Sequence, residues 1–282
     1  MKTTCRLLVF LIILSGCAPH PSPNSPAVTP EVSPGKVFSL VWQDEFDGPD
    51  GSSPDPGKWN YSTGGNGWGN GELQCYTDRI ENSYIAEGML VINAEKEEYM
   101  GCRYTSARIN TLVKGEWKFG RFEIRAKLPT TQGVWPAFWL LPADITRYGG
   151  WPSSGEIDIM ELIGKEPGRV NGTLHFGNPH QWITGHYDLP AGAVFSEDFH
   201  VFSLEWTPEE IVWFVDGEPF QTADQWSTSV EDNPFPAPFD VDFYLIVNVA
   251  VGGNFPGNPD ATSIFPQRML VDYVRVYQEN EQ

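Results

Sequence analysis

The chain has 282 residues, 40% of them hydrophobic, which is enough to bury a large core in one all-β domain. Its 37 acidic residues against 18 basic ones leave a formal net charge of −19, which excludes a nucleic-acid partner because the phosphates would be repelled. Eleven tryptophans beside that charge suit contact with neutral sugars, since flat indole faces stack on the apolar faces of sugar rings.

The N-terminus reads as a targeting segment. Lys2 and Arg6 supply a positive flank and Leu7 to Leu14 an apolar run too short to span a bilayer. Leu14-Ser-Gly-Cys17 resembles a bacterial lipobox, in which Cys17 is lipidated and becomes the new N-terminus; the alternative is an ordinary secretory signal with an incidental cysteine. Residues 18–35, rich in proline and serine, cannot form a core and favour an extended tether. The expected organisation is a lipoprotein signal over 1–17, a tether over 18–35 and a folded domain over 36–282. The expected location is outside the cytoplasm, anchored by lipid to a bacterial membrane, at the outer membrane or cell surface. With Cys5 and Cys17 in the leader, Cys75 and Cys102 remain. An even pair in an exported chain is a candidate disulfide, the alternative being two separate buried thiols. The five histidines are scattered and no Cys/His cluster has zinc spacing.

Strands run through the rest, with no internal repeat and no amphipathic helix of ten residues or more. Glu87-Gly88 predicts a hairpin turn into a strand over Met89–Ala94. Asp216-Gly217 predicts another, between Ile211–Val215 and Pro219–Gln221. Phe119–Leu128, Ala137–Leu141, Val201–Trp206, Phe243–Val251 and Met269–Tyr277 read as further strands. Many short strands with Gly/Pro turns predict a sandwich or jelly roll.

One strand is anomalous. Gly155-Glu-Ile-Asp-Ile-Met-Glu-Leu-Ile-Gly164 carries three carboxylates among apolar residues, where Asp and Glu are depleted. Glu156 and Asp158 share a face, whereas Glu161 points away in a regular strand. A β-bulge at Ile159 or Met160 would bring Glu161 round to join them. Two glutamates flanking an aspartate on a cleft floor can cleave a glycosidic bond; the alternative is solvated charge on an edge strand.

The same segment resembles the Glu-x-Asp-x-x-Glu signature of glycoside hydrolase family 16 in its laminarinase-like form. Also similar are Trp42-Gln-Asp-Glu-Phe46, Gly67-Trp-Gly-Asn-Gly-Glu-Leu-Gln74, Tyr104-Thr-Ser-Ala-Arg-Ile109, Gly120-Arg-Phe-Glu123, Gly133-Val-Trp-Pro-Ala-Phe-Trp-Leu-Leu-Pro142 and Asn248-Val-Ala-Val-Gly-Gly253. The resemblance spans Phe38 to Tyr277 and implies a concanavalin A-like β-jelly-roll sandwich of two curved antiparallel sheets with a concave glycan cleft. It implies endo-acting, retaining hydrolysis of β-1,3-glucan by a monomer that needs no cofactor for the chemistry. Glu156 is then the nucleophile, Glu161 the general acid/base and Asp158 the carboxylate between them. Substrate contacts are expected from Asn70, Glu72, Arg108, Trp135, Trp139, Trp151, His175, Asn248 and Phe255, the last standing where many relatives carry Trp. Glu45, Gly88 and Asp272 match positions that hold a structural Ca2+ in many members. Two other readings stay open: a mixed-linkage glucan or marine galactan hydrolase of the same fold, and a glucan-binding protein without catalysis.

Overall fold

The computed structural model describes residues 37–231 and 233–280. Cys17, the expected signal over 1–17 and the expected tether over 18–35 lie outside these residues. In chain order the strands begin with β1 (Phe38–Asp44), β2 (Asn60–Tyr61), β3 (Gln74–Tyr76), β4 (Ser83–Ala86), β5 (Met89–Ala94) and β6 (Tyr104–Ser106). The middle holds β7 (Arg108–Asn110), β8 (Glu116–Trp117), β9 (Gly120–Lys127), β10 (Val134–Pro142), β11 (Glu156–Glu161) and β12 (Arg169–Phe176). The domain closes with β13 (Gln181–Asp188), β14 (His200–Trp206), β15 (Ile211–Val215), β16 (Glu218–Ala223), β17 (Phe243–Val251) and β18 (Gln267–Glu279). Helix among the described residues is confined to one 3-10 turn, Gly67–Gly69.

The strands form a β-jelly-roll sandwich of two large antiparallel sheets. The back sheet runs β16-β15-β14-β9-β18-β5-β4, with β1 continuing along β18 beyond β5. The cleft sheet runs β13-β12-β11-β10-β17-β7-β2, with β8 also on β17. Strand alternation explains why they stack. On β17, Phe243, Leu245, Val247, Val249 and Val251 are buried in the core, while Asn248 and Ala250 between them line the opposite, cleft side. Phe122, Ile124 and Ala126 on β9, with Phe202, Leu204 and Trp206 on β14, meet them from the back sheet.

Both predicted hairpin turns are present. Glu87 and Gly88 have φ of 54° and 71°, and Asp216 and Gly217 have 52° and 85°, the left-handed pair that matches the twist of the flanking strands. Predicted strands appear where expected with shifted ends: Ala137–Leu141 extends to Val134–Pro142 and Met269–Tyr277 to Gln267–Glu279.

Candidate active site

Glu156, Asp158 and Glu161 stand on β11, inside the cleft sheet rather than at its edge, so they are not edge-strand charges. Across to β12, Glu156 faces His175, Asp158 faces Thr173 and Glu161 faces Asn171. β11 therefore spends three steps where β12 spends two. Ile159 and Met160 absorb the surplus, and both are buried in the core although they are adjacent in sequence. This is the expected bulge, and it returns Glu161 to the cleft side. The Glu156 to Glu161 run shortens to four extended steps, about 13 Å at ~3.3 Å per residue instead of about 16 Å.

The back sheet holds the bulge from beneath. Trp213 on β15 donates its indole N–H to the main-chain carbonyl of Asp158 at 2.8 Å. Gly172 on β12 leaves room for that ring, since a Cβ there would lie 2.4 Å from Trp213 Cδ1.

Burial pushes all three carboxyls toward the protonated form. Asp158 is raised to about 8 by burial, and Glu161 to about 8 by burial and then by Asp158. Glu156 is pushed up by burial and by Asp158, and drawn back by His175 and Arg108. His175 Nε2 lies 3.3 Å from Asp158 Oδ2 and 3.8 Å from Glu156 Oε1. Glu161 instead accepts a neutral donor, the Trp135 indole N–H, at 3.0 Å. His175 and Arg108 both draw Glu156 toward the ionised form, whereas of the two only His175 acts on Glu161. That division suits a nucleophile at Glu156 and an acid at Glu161.

The other expected contact residues gather round this strand in a cleft of about 760 Å³. Arg108 on β7 is sandwiched between the Trp68 and Trp139 rings, 5.0 and 4.6 Å from their centroids, and its buried Nε has no hydrogen-bond partner among the described residues. Trp139 donates to Asn248 Oδ1 at 2.7 Å, Asn248 Nδ2 donates to the Tyr76 hydroxyl at 3.1 Å, and that hydroxyl donates to Glu72 Oε2 at 3.3 Å. Glu72 also accepts from Gln74 at 2.6 Å and from Asn70 at 3.5 Å. Phe255 packs edge-on against Trp135, and half-exposed Trp151 stands 5.0 Å from the His180 ring. All nine expected contact residues line this one cleft.

The sequence reading missed Trp68, Tyr76, His180 and Trp182, which line it too. Trp182 had a signal, the alternation of β13; the others belong to turns and a short buried strand whose direction no periodicity reveals.

Cys75 and Cys102 are joined by a disulfide. It packs against the glycine-rich loop, where a Cβ at Gly65 would meet the two sulfurs at 2.4 and 2.5 Å. Glu45, Gly88 and Asp272 do not make a carboxylate cage. Arg275 holds both carboxylate oxygens of Glu45 through hydrogen bonds of 2.7 and 2.8 Å, while Arg125 holds only Oδ2 of Asp272, at 2.6 Å. Glu156, Asp158 and His175 bring ligand atoms within 4.8 Å of one another, two of the three from the carboxylate strand β11.

The profile of "Glycosyl hydrolases family 16" matches residues 70–273. The "Glucan endo-1,3-beta-glucosidase A1" of Niallia circulans is 46% identical over 92% of this chain, which spans only 39% of that longer protein. The "Beta-glucanase" of Rhodothermus marinus is 44% identical, over 98% of this chain and 96% of its own length. The crystal structure of the laminarinase from Rhodothermus marinus superposes with a TM-score of 0.79 at 44% identity, covering 87% of this chain and 99% of that one. With the bulged carboxylate strand, the cleft and these matches together, the chain belongs to glycosyl hydrolases family 16.

Proposed function

We propose that the chain is an endo-acting, retaining hydrolase of β-1,3-glucan. The observation that carries this is the bulge in β11, which sets Glu156 and Glu161 on one cleft face with Asp158 between them. The Glu156 carboxylate attacks the anomeric carbon while Glu161 protonates the departing glycosidic oxygen, giving a glycosyl ester and a free chain end. Glu161, now ionised, takes a proton from water as that water's oxygen displaces Glu156, so one water is consumed and the anomeric configuration is retained. Asp158 repels a second charge and helps keep Glu161 protonated for the first step.

The substrate class rests on the relatives named for β-1,3-glucan and on the character of the cleft walls. Arg108 is the one Lys or Arg among the cleft-lining residues, and two indoles sandwich it, so a sulfated galactan meets little compensating charge. A reducing-sugar assay on laminarin, lichenan, carrageenan and agarose tests the reading, with laminarin expected to be cleaved fastest. Glu156→Gln should bind glucan without turnover, and Glu161→Gln should regain activity on activated aryl glycosides with azide. Wild-type protein that binds laminarin and releases no sugar would leave a glucan-binding protein instead.

Cellular placement is a proposal from the sequence motif: a monomeric domain held at a bacterial membrane surface by lipid on Cys17. A single acyl chain anchors only marginally, so stable anchoring requires several. Wild-type protein recovered wholly in the aqueous phase of a detergent partition, with an unmodified N-terminus beyond residue 17, would refute it.

A further inference from the structure

His180, in the turn between β12 and β13, is absent from the catalytic scheme above, yet it touches the group that faces both reactive carboxylates. Its Nε2 lies 2.9 Å from His175 Nδ1, a hydrogen-bond distance that requires one nitrogen to carry the proton and the other to accept it. The opposite nitrogen of His175, Nε2, faces Asp158 Oδ2 at 3.3 Å and Glu156 Oε1 at 3.8 Å. Asp158 is only 3% exposed, and its Oδ2 has no hydrogen-bond partner among the described residues.

With a neutral His175 against an ionised carboxylate pair, these contacts fix the direction of the chain. If His175 Nδ1 carried the proton of a neutral ring, the bare lone pair of Nε2 would point at carboxylate oxygens. If both rings were cationic, two N–H groups would meet at 2.9 Å. The consistent arrangement has His180 Nε2–H donating to His175 Nδ1, which leaves the His175 proton on Nε2, aimed at Asp158 and Glu156. The Trp151 and Trp182 rings, 5.0 and 5.5 Å from that of His180, hold its imidazole between them. The other ionisable groups acting on Glu156 are Asp158 and Glu161 on its own strand and Arg108 from β7, while Tyr244 on β17 feels its charge. None of these reaches His175 Nδ1 in the structure.

We propose that His180 is a positioning residue: by donating to His175 Nδ1 it fixes the His175 tautomer that presents N–H to the Asp158–Glu156 pair, and so keeps the nucleophile ionised. This rests on Glu156 being the nucleophile. Its removal lets His175 take the other tautomer, the ionised pair loses its donor, and the nucleophile's affinity for protons rises. The sign follows directly. Activity that requires ionised Glu156 is lost as pH falls through the nucleophile's pKa, so the acid limb of kcat/KM moves to higher pH when His180 is removed. The expected shift is about one pH unit, tenfold in kcat/KM on the acid side, the order of effect of turning a nearby N–H away from a buried charge.

The experiment compares wild type, His180→Phe and His180→Gln on laminarin across pH, with imidazole 15N shifts of His175 in the resting proteins. His180→Phe keeps an aromatic ring between Trp151 and Trp182 but has no donor, and His180→Gln restores an N–H. The expected result is an acid limb moved up in His180→Phe at unchanged plateau KM, recovered in His180→Gln, with His175 protonated at Nε2 in wild type and mixed in His180→Phe. An unmoved limb, a rise in KM alone, or a wild-type His175 protonated at Nδ1 would overturn the assignment. The resting-state tautomer is read without turnover, so it decides the matter even if laminarin proves not to be the substrate.

Discussion

Replacing Glu161 by Gln exchanges a buried acid held at about 8 for an amide of the same shape that does not titrate. In the unfolded chain this glutamate returns to its ordinary value of 4.5. Between those two values the folded protein keeps a proton that the unfolded chain has released. The folded state binds more protons, so stability falls as pH rises, by about 1.36 kcal/mol per unit inside the window. Integrated from pH 5 to pH 8, the loss attributable to Glu161 is about 3 kcal/mol. Gln at 161 can still accept the Trp135 indole N–H that the acid accepts at 3.0 Å, so the packing changes little. Glu161→Gln is therefore expected to exceed wild type by only about 1 kcal/mol at pH 5 and by about 4 kcal/mol at pH 8. Urea unfolding at both pH values measures this directly, because an unchanged slope would show that only stability moved. A stability difference that stays flat across the range, or one that reverses, would refute the claim that the acid is kept protonated by burial. The positive result would place this carboxylate among groups retained for function at the expense of stability.

The disulfide and the buried indole give two further tests. Trp213→Phe removes the indole donor to the buried Asp158 carbonyl, so unfolding free energy should fall by about 1–3 kcal/mol and kcat should fall with it. Lost stability with wild-type kcat would mean that the bulge holds its shape without that bond. Replacing Cys75 and Cys102 together by Ser should lower stability by about 3 kcal/mol in the chain-entropy account. It should also raise KM for glucan while sparing kcat, because the bridge supports the loop that carries Trp68, Asn70 and Glu72. An unchanged KM would separate the loop from the bridge.

Family membership gives the hydrolytic chemistry a framework, and the local geometry shows how this chain realises it. Burial raises all three carboxyls, and beyond it Glu156 feels Asp158, His175 and Arg108, whereas Glu161 feels Asp158, His175 and the Trp135 indole. Aromatic rings wall both flanks, with Trp68 and Trp139 around Arg108 on one side and Trp151 and Trp182 around His180 on the other. A neutral polysaccharide fits such walls because its ring faces are apolar and its edges are hydroxyls.

Much of this was legible in the chain itself, because it is written in short-range physics. Period-two alternation on β17 and the Glu87-Gly88 and Asp216-Gly217 turns are local facts, and the structure reproduces them nearly residue for residue. The bulge was legible too, since three carboxylates at spacings of two and three can share a face only if the register slips once. Tertiary structure alone decided what meets across distant segments. Trp213, 55 residues beyond Asp158, supports the bulge from the opposite sheet, and Gly172 is small because that ring passes beneath it. Glu45 and Asp272 pair with Arg275 and Arg125, partners that no sequence spacing nominates. His180 gained its place only when a turn folded back over β12 to lay one imidazole against another. Periodicity tells which face of a strand a residue occupies, but which sheet that face will meet is fixed by the packing of the whole chain.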